Sequence, residues 1–301
     1  MKALNKGTQF VVAGTEVSGG IPGLQFSARG VRGQSVAGGF GGFHDLVPLD
    51  GGRWGLAVGD VSALPDSSGV PSAGSIGVAR AVMRAMAQID GTPSAVLAGM
   101  NRALLALASS EQCSLAVTYT TVRLSAVGAR VRICAAGPQT AFVRRSDGSV
   151  LASAWPGSPL GLRPDPELAD SRVLLRTGDT MILVSASVTQ TLGGPDGVCH
   201  ILAAAGPASA ARSTDTLVRA VKDAGGGRIE HEAVVLALKV PGYKREAGLH
   251  SAGWPGDRPY TAAGPPAYRS WTRRQPADRT QYPFLDRPLA GSGSGHFGPG
   301  R

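Results

Sequence analysis

From Ser72 onward the apolar residues change their period. Before that point large apolar side chains alternate, as at Trp54, Leu56 and Val58; after it Ile76, Val78, Ala79, Val82, Met83 and Met86 recur every three or four positions. Alternation predicts a half-buried strand, and the longer period predicts an amphipathic helix. A chain that switches between the two periods has to stack its strands and helices in layers, because each element is apolar on one side only.

The stretch "SAGSIGVARAVMRAMAQI" is therefore predicted as one helix, with small residues that allow close approach to a sheet. A second helix follows at once: Thr92 caps it, Pro93 suits its first turn, and Val96, Leu97, Met100, Leu104 and Leu107 form its buried stripe. Upstream, "GIPGLQFSARG" (20–30), "FHDLVPL" (43–49) and "RWGLAVGDV" read as strands, the last two joined by a "DGG" turn at Asp50 to Gly52. Downstream come "SLAVTYTTVRL", "ARVRICAAG", "TAFVRR" with the turn "SDGS", then "SRVLLR" and "DTMILVSAS". Helical stretches return near "VCHILAAA" and "STDTLVRAVKDAG", the latter opened by a Ser or Thr cap and closed by Gly225 to Gly227. "AVVLALKV" (233–240) is a last buried strand. This order predicts antiparallel sheets packed face to face with helices outside.

Three cysteines, Cys113, Cys134 and Cys199, are odd in number and far apart, which argues against a disulfide framework and against a zinc ribbon. A reducing cytoplasm is the expected compartment. The apolar stretch "FVVAG" is too short for a signal-peptide core, and no run of about 18 apolar residues offers a membrane span. The net charge of +9 would suit nucleic acid, but much of it lies in the Pro-, Gly- and Ser-rich stretch from Pro241 onward. That stretch is too poor in aliphatic residues to offset its ordering entropy, so it is expected to be a disordered, solubilising tail rather than a nucleic-acid module. The expected organisation is a short N-terminal segment (1–19), one domain (20–240) and the tail (241–301).

Several stretches together resemble the SpoIIE-like branch of the PPM-type metal-dependent serine/threonine phosphatases. "GDVS" (Gly59 to Ser62) and the helix after it resemble the family's G-D-V-S-G-x-G-x-x-A-A stretch. "AAGPQTAFVRRSDGSV" resembles its A-G-H-x-P strand and hairpin, and "GSPLGL" (Gly157 to Leu162) its G-x-P-L-G-L turn. "RTGDTMILVSASVTQ" resembles its G-D-x-L-L-L-Y-T-D-G-V-T-E strand and turn. Each is weak alone; their common order is what makes the signal specific. The resemblance implies an αββα sandwich with two Mn²⁺ or Mg²⁺ ions where the sheets meet. Such hard cations need several carboxylate oxygens converging from separate strands before they can activate water or polarise a phosphate.

The departures fall on those carboxylates. Gly42 of "FGGFHD" stands where the resemblance implies a ligating aspartate, Ala186 of "SAS" stands for the aspartate of T-D-G, and His231 with Glu232 stands for the final D-D pair. Pro138 replaces the histidine of A-G-H, and "ALPDSSG", with Asp66 read as a turn residue, is longer than the family's G-x-G. Asp60 is the metal position plainly kept; Asp45 is present, but that acid of the motif is not the family's principal ligand. The expected protein is thus a regulator with the phosphatase fold, catalytically inactive, with no resident cofactor. It is expected to act by binding a protein partner in bacterial signalling, such as an anti-sigma-factor antagonist or another phosphoprotein regulator. The alternative is an active phosphatase, using Mn²⁺ or Mg²⁺, whose metal site is rebuilt from Asp45, Asp60, His44, His231 and Glu232, a mix of imidazole and carboxylate that suits Mn²⁺ or Zn²⁺. Asp60 also has a plain structural reading, a strand-end carboxylate that caps a turn, and His231 beside Glu232 reads as a surface ion pair. No kinase, sensor or STAS-like stretch is expected beside the domain, so input is expected through another protein, through expression level, or not at all.

Overall fold

The computed structural model describes residues 21–31, 41–63, 73–89, 91–107, 113–138, 140–152, 157–226 and 232–242. The chain divides into two units, Met1–Arg245 and Glu246–Arg301. The tail from residue 243 onward, the 1–19 segment, Asp66 and His231 lie outside the described residues.

Two five-stranded antiparallel sheets make the centre. One has the order β1 (Gln25–Val31), β10 (Ala233–Lys239), β9 (Thr180–Val184), β6 (Thr140–Arg144), β7 (Val150–Ala152). The other has the order β2 (Gly41–Leu49), β3 (Arg53–Ala63), β4 (Cys113–Ser125), β5 (Gly128–Ala136), β8 (Ser171–Leu175). Between them lies a core that includes Leu56, Val58, Val131, Ile133, Met181, Leu183, Leu236 and Leu238. Helices α1 (Ala73–Ile89) and α2 (Pro93–Leu107) cover the outer face of the β2–β8 sheet through Met83, Val96, Leu97 and Met100 against Ala57, Val117 and Tyr119. Helices α3 (Ala186–Thr191), α4 (Pro195–Ala204) and α5 (Ala210–Ala224) cover the other sheet through Val188, Val198, Leu202 and Leu217 against Ile182 and Val235. The architecture is the expected αββα sandwich.

The period-2 rule sorts the strands as read. Leu56 and Val58 enter the inter-sheet core, while Ala57 and Val61 turn to the helices. Three local readings are corrected. Residues 21–24 form a turn before β1, closed by Leu24 N–H to the Ile21 carbonyl at 3.0 Å, because Pro22 and Gly23 (φ +82°) set a turn rather than a strand. The strand read through Ser187 ends at Val184: at Ser185 the hydroxyl replaces the carbonyl as acceptor of the Val234 N–H, and α3 starts at Ala186. Helix α5 starts three residues before Ser213, capped by Ser209, whose hydroxyl accepts from the Arg212 N–H. Ser213 sits inside the helix and donates to the Ser209 carbonyl, satisfying itself without capping.

Two retained motifs turn out to be scaffold. "GSPLGL" is held by the fully buried Asn101 of α2, which donates to the carbonyls of Arg163 and Pro164 and accepts from the Gly161 N–H at 2.8 Å. A Cβ at Gly157 would stand 2.5 Å from the carbonyl oxygens of Ala135 and Glu167, so only glycine fits where this turn crosses β5. In "RTGDT", Asp179 accepts from Arg145, from the Ser146 N–H and from the Arg176 N–H, all at 2.8 to 2.9 Å. It is a turn clamp at the far end of β9 from Ala186.

Candidate functional site

Four of the positions singled out as metal sites, Gly42, Asp60, Ala186 and Glu232, converge at one end of the sandwich. Gly42 and Asp60 are direct partners in the β2–β3 ladder, and both face the inter-sheet side, on the same strand faces as Leu46 and Val58. Ala186 follows β9 and Glu232 precedes β10, so the other sheet delivers them to the same end. A Cβ built on Gly42 would lie 3.2 Å from Asp60 Oδ1 and 3.2 Å from Glu232 Cγ, so both acids border the space that a side chain at this position would fill.

What these groups do there is bind backbone. The Asp60 carboxylate, from one sheet, accepts the Ala186 N–H of the other at 3.0 Å. The Glu232 carboxylate accepts the Gly42 N–H in the reverse direction at 3.1 Å. The result is a reciprocal clasp in which each sheet contributes one carboxylate and one amide. Charge-assisted hydrogen bonds of this kind contribute about 1.5–3 kcal/mol each. The serines of "SAS" complete the clasp. Ser185 exchanges hydrogen bonds with the Val234 backbone, its N–H reaching the Val234 carbonyl at 2.9 Å and its hydroxyl accepting the Val234 N–H at 3.0 Å. Ser187 donates to the Glu232 carbonyl at 2.6 Å.

Asp45 is not part of this end. Strand alternation puts it on the helix-facing side of β2, three residues from Gly42, where Arg84 grips it in a fork of two 2.7 Å bonds and Arg80 approaches at 3.4 Å. It also accepts its neighbour's Leu46 N–H at 2.9 Å. The carboxylate is fully buried and ties α1 to the sheet edge. His44 alternates with it and is buried; its Nε2 has no hydrogen-bond partner. Burial, with Arg80 next in effect, pushes the imidazole down to about 4, while Asp45 pulls the other way.

The donor set among the described residues does not fit a pair of hard divalent cations. Gly42 and Ala186 bring no side-chain oxygen, and the carboxylates of Asp60 and Glu232 already accept amide protons from the opposing sheet. Among the described residues no group of three or more His, Cys, Asp or Glu side chains is placed to hold a metal. Sequence reasoning missed the clasp itself, because a backbone N–H has no letter in the sequence. It also missed Ser185 and Ser187; the only hint was their position in the T-D-G turn.

Residues 50–241 match the family model described as Stage II sporulation protein E (SpoIIE). No curated protein sequence matches the chain. Among solved structures, the RsbU and RsbW domains of a Mycobacterium tuberculosis protein superpose with a TM-score of 0.58 at 20% identity, covering 78% of this chain and 65% of that one. The phosphatase domain of the cell fate determinant SpoIIE from Bacillus subtilis gives 0.53 at 13% identity, covering 76% of this chain and 98% of that one. RsbX in complex with magnesium gives 0.51 at 10% identity, covering 74% of this chain and 98% of that one. This chain therefore spans about two thirds of the first of these and nearly all of the other two.

Proposed function

This chain belongs to the Stage II sporulation protein E (SpoIIE) family, and we propose that it is a catalytically inactive member that acts by binding a protein partner. The observation that carries this is the reciprocal clasp: at the end of the sandwich where two metals would need converging carboxylates, Asp60 and Glu232 instead join the sheets through the Ala186 and Gly42 amides. The remaining family motifs, at Gly157 to Leu162 and at Asp179, brace turns and are useful to a scaffold with or without chemistry. A fold kept while its metal positions are replaced serves recognition rather than hydrolysis. An anti-sigma-factor antagonist or another phosphoprotein regulator, in bacterial signalling, is the partner class that fits the family resemblance. A cytoplasmic setting fits as well, and among the described residues no helix is long and apolar enough to cross a membrane. We place the domain at 20–240. Among the described residues Val240 is the last with backbone hydrogen bonds to the domain, exchanging them with Gly178 and Asp179. Limited proteolysis that leaves a resistant fragment ending near residue 242 checks that limit, and protection extending far into the tail refutes it.

Substitutions at Asp60 separate the structural role from the chemical one. Asp60→Asn keeps an oxygen that can accept the Ala186 N–H, so its stability should stay near the parent's. Asp60→Ala should lose about 2 kcal/mol by removing the acceptor. Neither variant nor the parent should hydrolyse an aryl phosphate in the presence of Mn²⁺. Turnover by the parent that disappears in Asp60→Asn would replace this reading with that of a phosphatase built on a non-standard site.

A further inference from the structure

Strand register gathers five arginines on one face of the β2–β8 sheet, at the end away from Asp60. Arg53 is the direct partner of Arg123, and Arg123 is the direct partner of Arg130. Two residues further along β5, Arg132 is the direct partner of Arg172. All five lie on the strand faces that α2 covers further on, at Cys134 and Tyr119, but beyond the helix cover: Arg123, Arg130, Arg132 and Arg172 are exposed and Arg53 is half-buried. The Arg53–Arg123 rung is seven residues from the Asp60–Ala116 rung, about 24 Å along the strands.

Like charges directly opposed across strands destabilise a sheet, and three in one row with two on the next is a costly pattern for a face with no use. Among the described residues no carboxylate pairs with Arg123, Arg130, Arg132 or Arg172. The acid preceding β8, Asp170, is engaged by the Ser94 N–H at the start of α2. Arg53 Nε donates to the Asp50 carbonyl, which stabilises its position without neutralising it. The chain's own tail is by composition a poor counterion: from Pro241 it carries nine Lys and Arg residues against Glu246, Asp257, Asp278 and Asp286.

We propose that this arginine face is the docking surface for an acidic segment of a protein partner. Guanidinium groups are planar, weakly hydrated forks that match carboxylates two at a time, and a flat array spaced by the strand separation presents several at once. The proposal deepens the partner-binding reading of the domain, on which the word partner rests, and it locates binding away from the clasp.

The test is fluorescence anisotropy of labelled poly-glutamate with the 301-residue chain, without divalent metal. It compares the parent with a variant carrying Arg123→Gln, Arg130→Gln, Arg132→Gln and Arg172→Gln. The parent should bind at low ionic strength, the variant about tenfold more weakly, and the difference should shrink as salt is added. Relief of like-charge repulsion should leave the variant's melting temperature equal to or above the parent's. The pair Arg130→Gln and Arg132→Gln repeats the comparison with fewer changes. Equal binding by parent and variants overturns the proposal, as does a lower melting temperature, or an arginine-dependent preference for a single-stranded oligonucleotide over poly-glutamate. Poly-glutamate carries no phosphate, so the result stands whether or not the domain proves to hydrolyse phosphoesters.

Discussion

Replacing Asp45 by alanine is expected to lower the stability of the domain by about 3 kcal/mol, or roughly 10 °C in melting temperature. The carboxylate is buried and holds three groups: the Arg84 fork, Arg80, and the Leu46 N–H. Deleting one partner of a buried ion pair leaves the other charge uncompensated, which destabilises far more than the pair itself stabilises. The two arginines differ in how they respond. The Arg84 side chain is 39% exposed and can swing into water, whereas the Arg80 side chain is 13% exposed and stays beside the gap. Arg84→Ala should therefore be nearly as damaging as Asp45→Ala, because it strips the buried carboxylate of its fork. The double variant should be closer to either single than to their sum. Thermal melts of the three variants read this directly. A loss below about 1 kcal/mol for Asp45→Ala would mean that the carboxylate is not the tie between α1 and β2.

The second large effect is a loss of stability in mild acid that depends on His44. Its imidazole is held down to about 4 from an unfolded value of 6.5, so the unfolded chain takes up a proton at a higher pH than the folded one does. The stabilisation of the neutral, buried form is complete above pH 6.5 and drains away as pH falls toward 4. A shift of this size corresponds to about 3 kcal/mol across that window. His44→Leu removes the proton site and leaves no hydrogen bond broken at Nε2, which has no partner. Denaturant melts at pH 7 and pH 4.5 should show a markedly smaller drop for His44→Leu than for the parent. Equal drops would assign the acid sensitivity to other groups.

These two residues show how far the sequence could be read. The αββα order was legible, because the switch from the Trp54–Leu56–Val58 alternation to the Ile76–Val82–Met83 spacing separates strand from helix in the letters themselves. Alternation also carried more than was taken from it. Asp45 and Asp60 lie on the two paired strands of one hairpin, yet β2 pairs Asp45 with Ala57, three residues from Asp60, so the two acids fall on opposite faces of the sheet. The convergence of Gly42, Asp60, Ala186 and Glu232 could come only from family motifs, since Gly42 and Glu232 are separated by 190 positions and no local pattern links them. The clasp was not legible, because its donors are backbone amides. The arginine rows stood between: each arginine is plain in the sequence, but the rows exist only once Arg123 is paired with Arg53 and with Arg130.

The central claim is that the clasp has replaced the metal site, and calorimetric titration of Mn²⁺ into the 301-residue chain tests it most directly. Two amide-bound carboxylates flanking a glycine do not provide the oxygen ligands that a bridged cation pair requires. The heat should be that of dilution, with no saturable binding in the parent and no change on Asp60→Asn. Saturable uptake of two Mn²⁺ ions per chain, abolished by Asp60→Asn, would contradict the account.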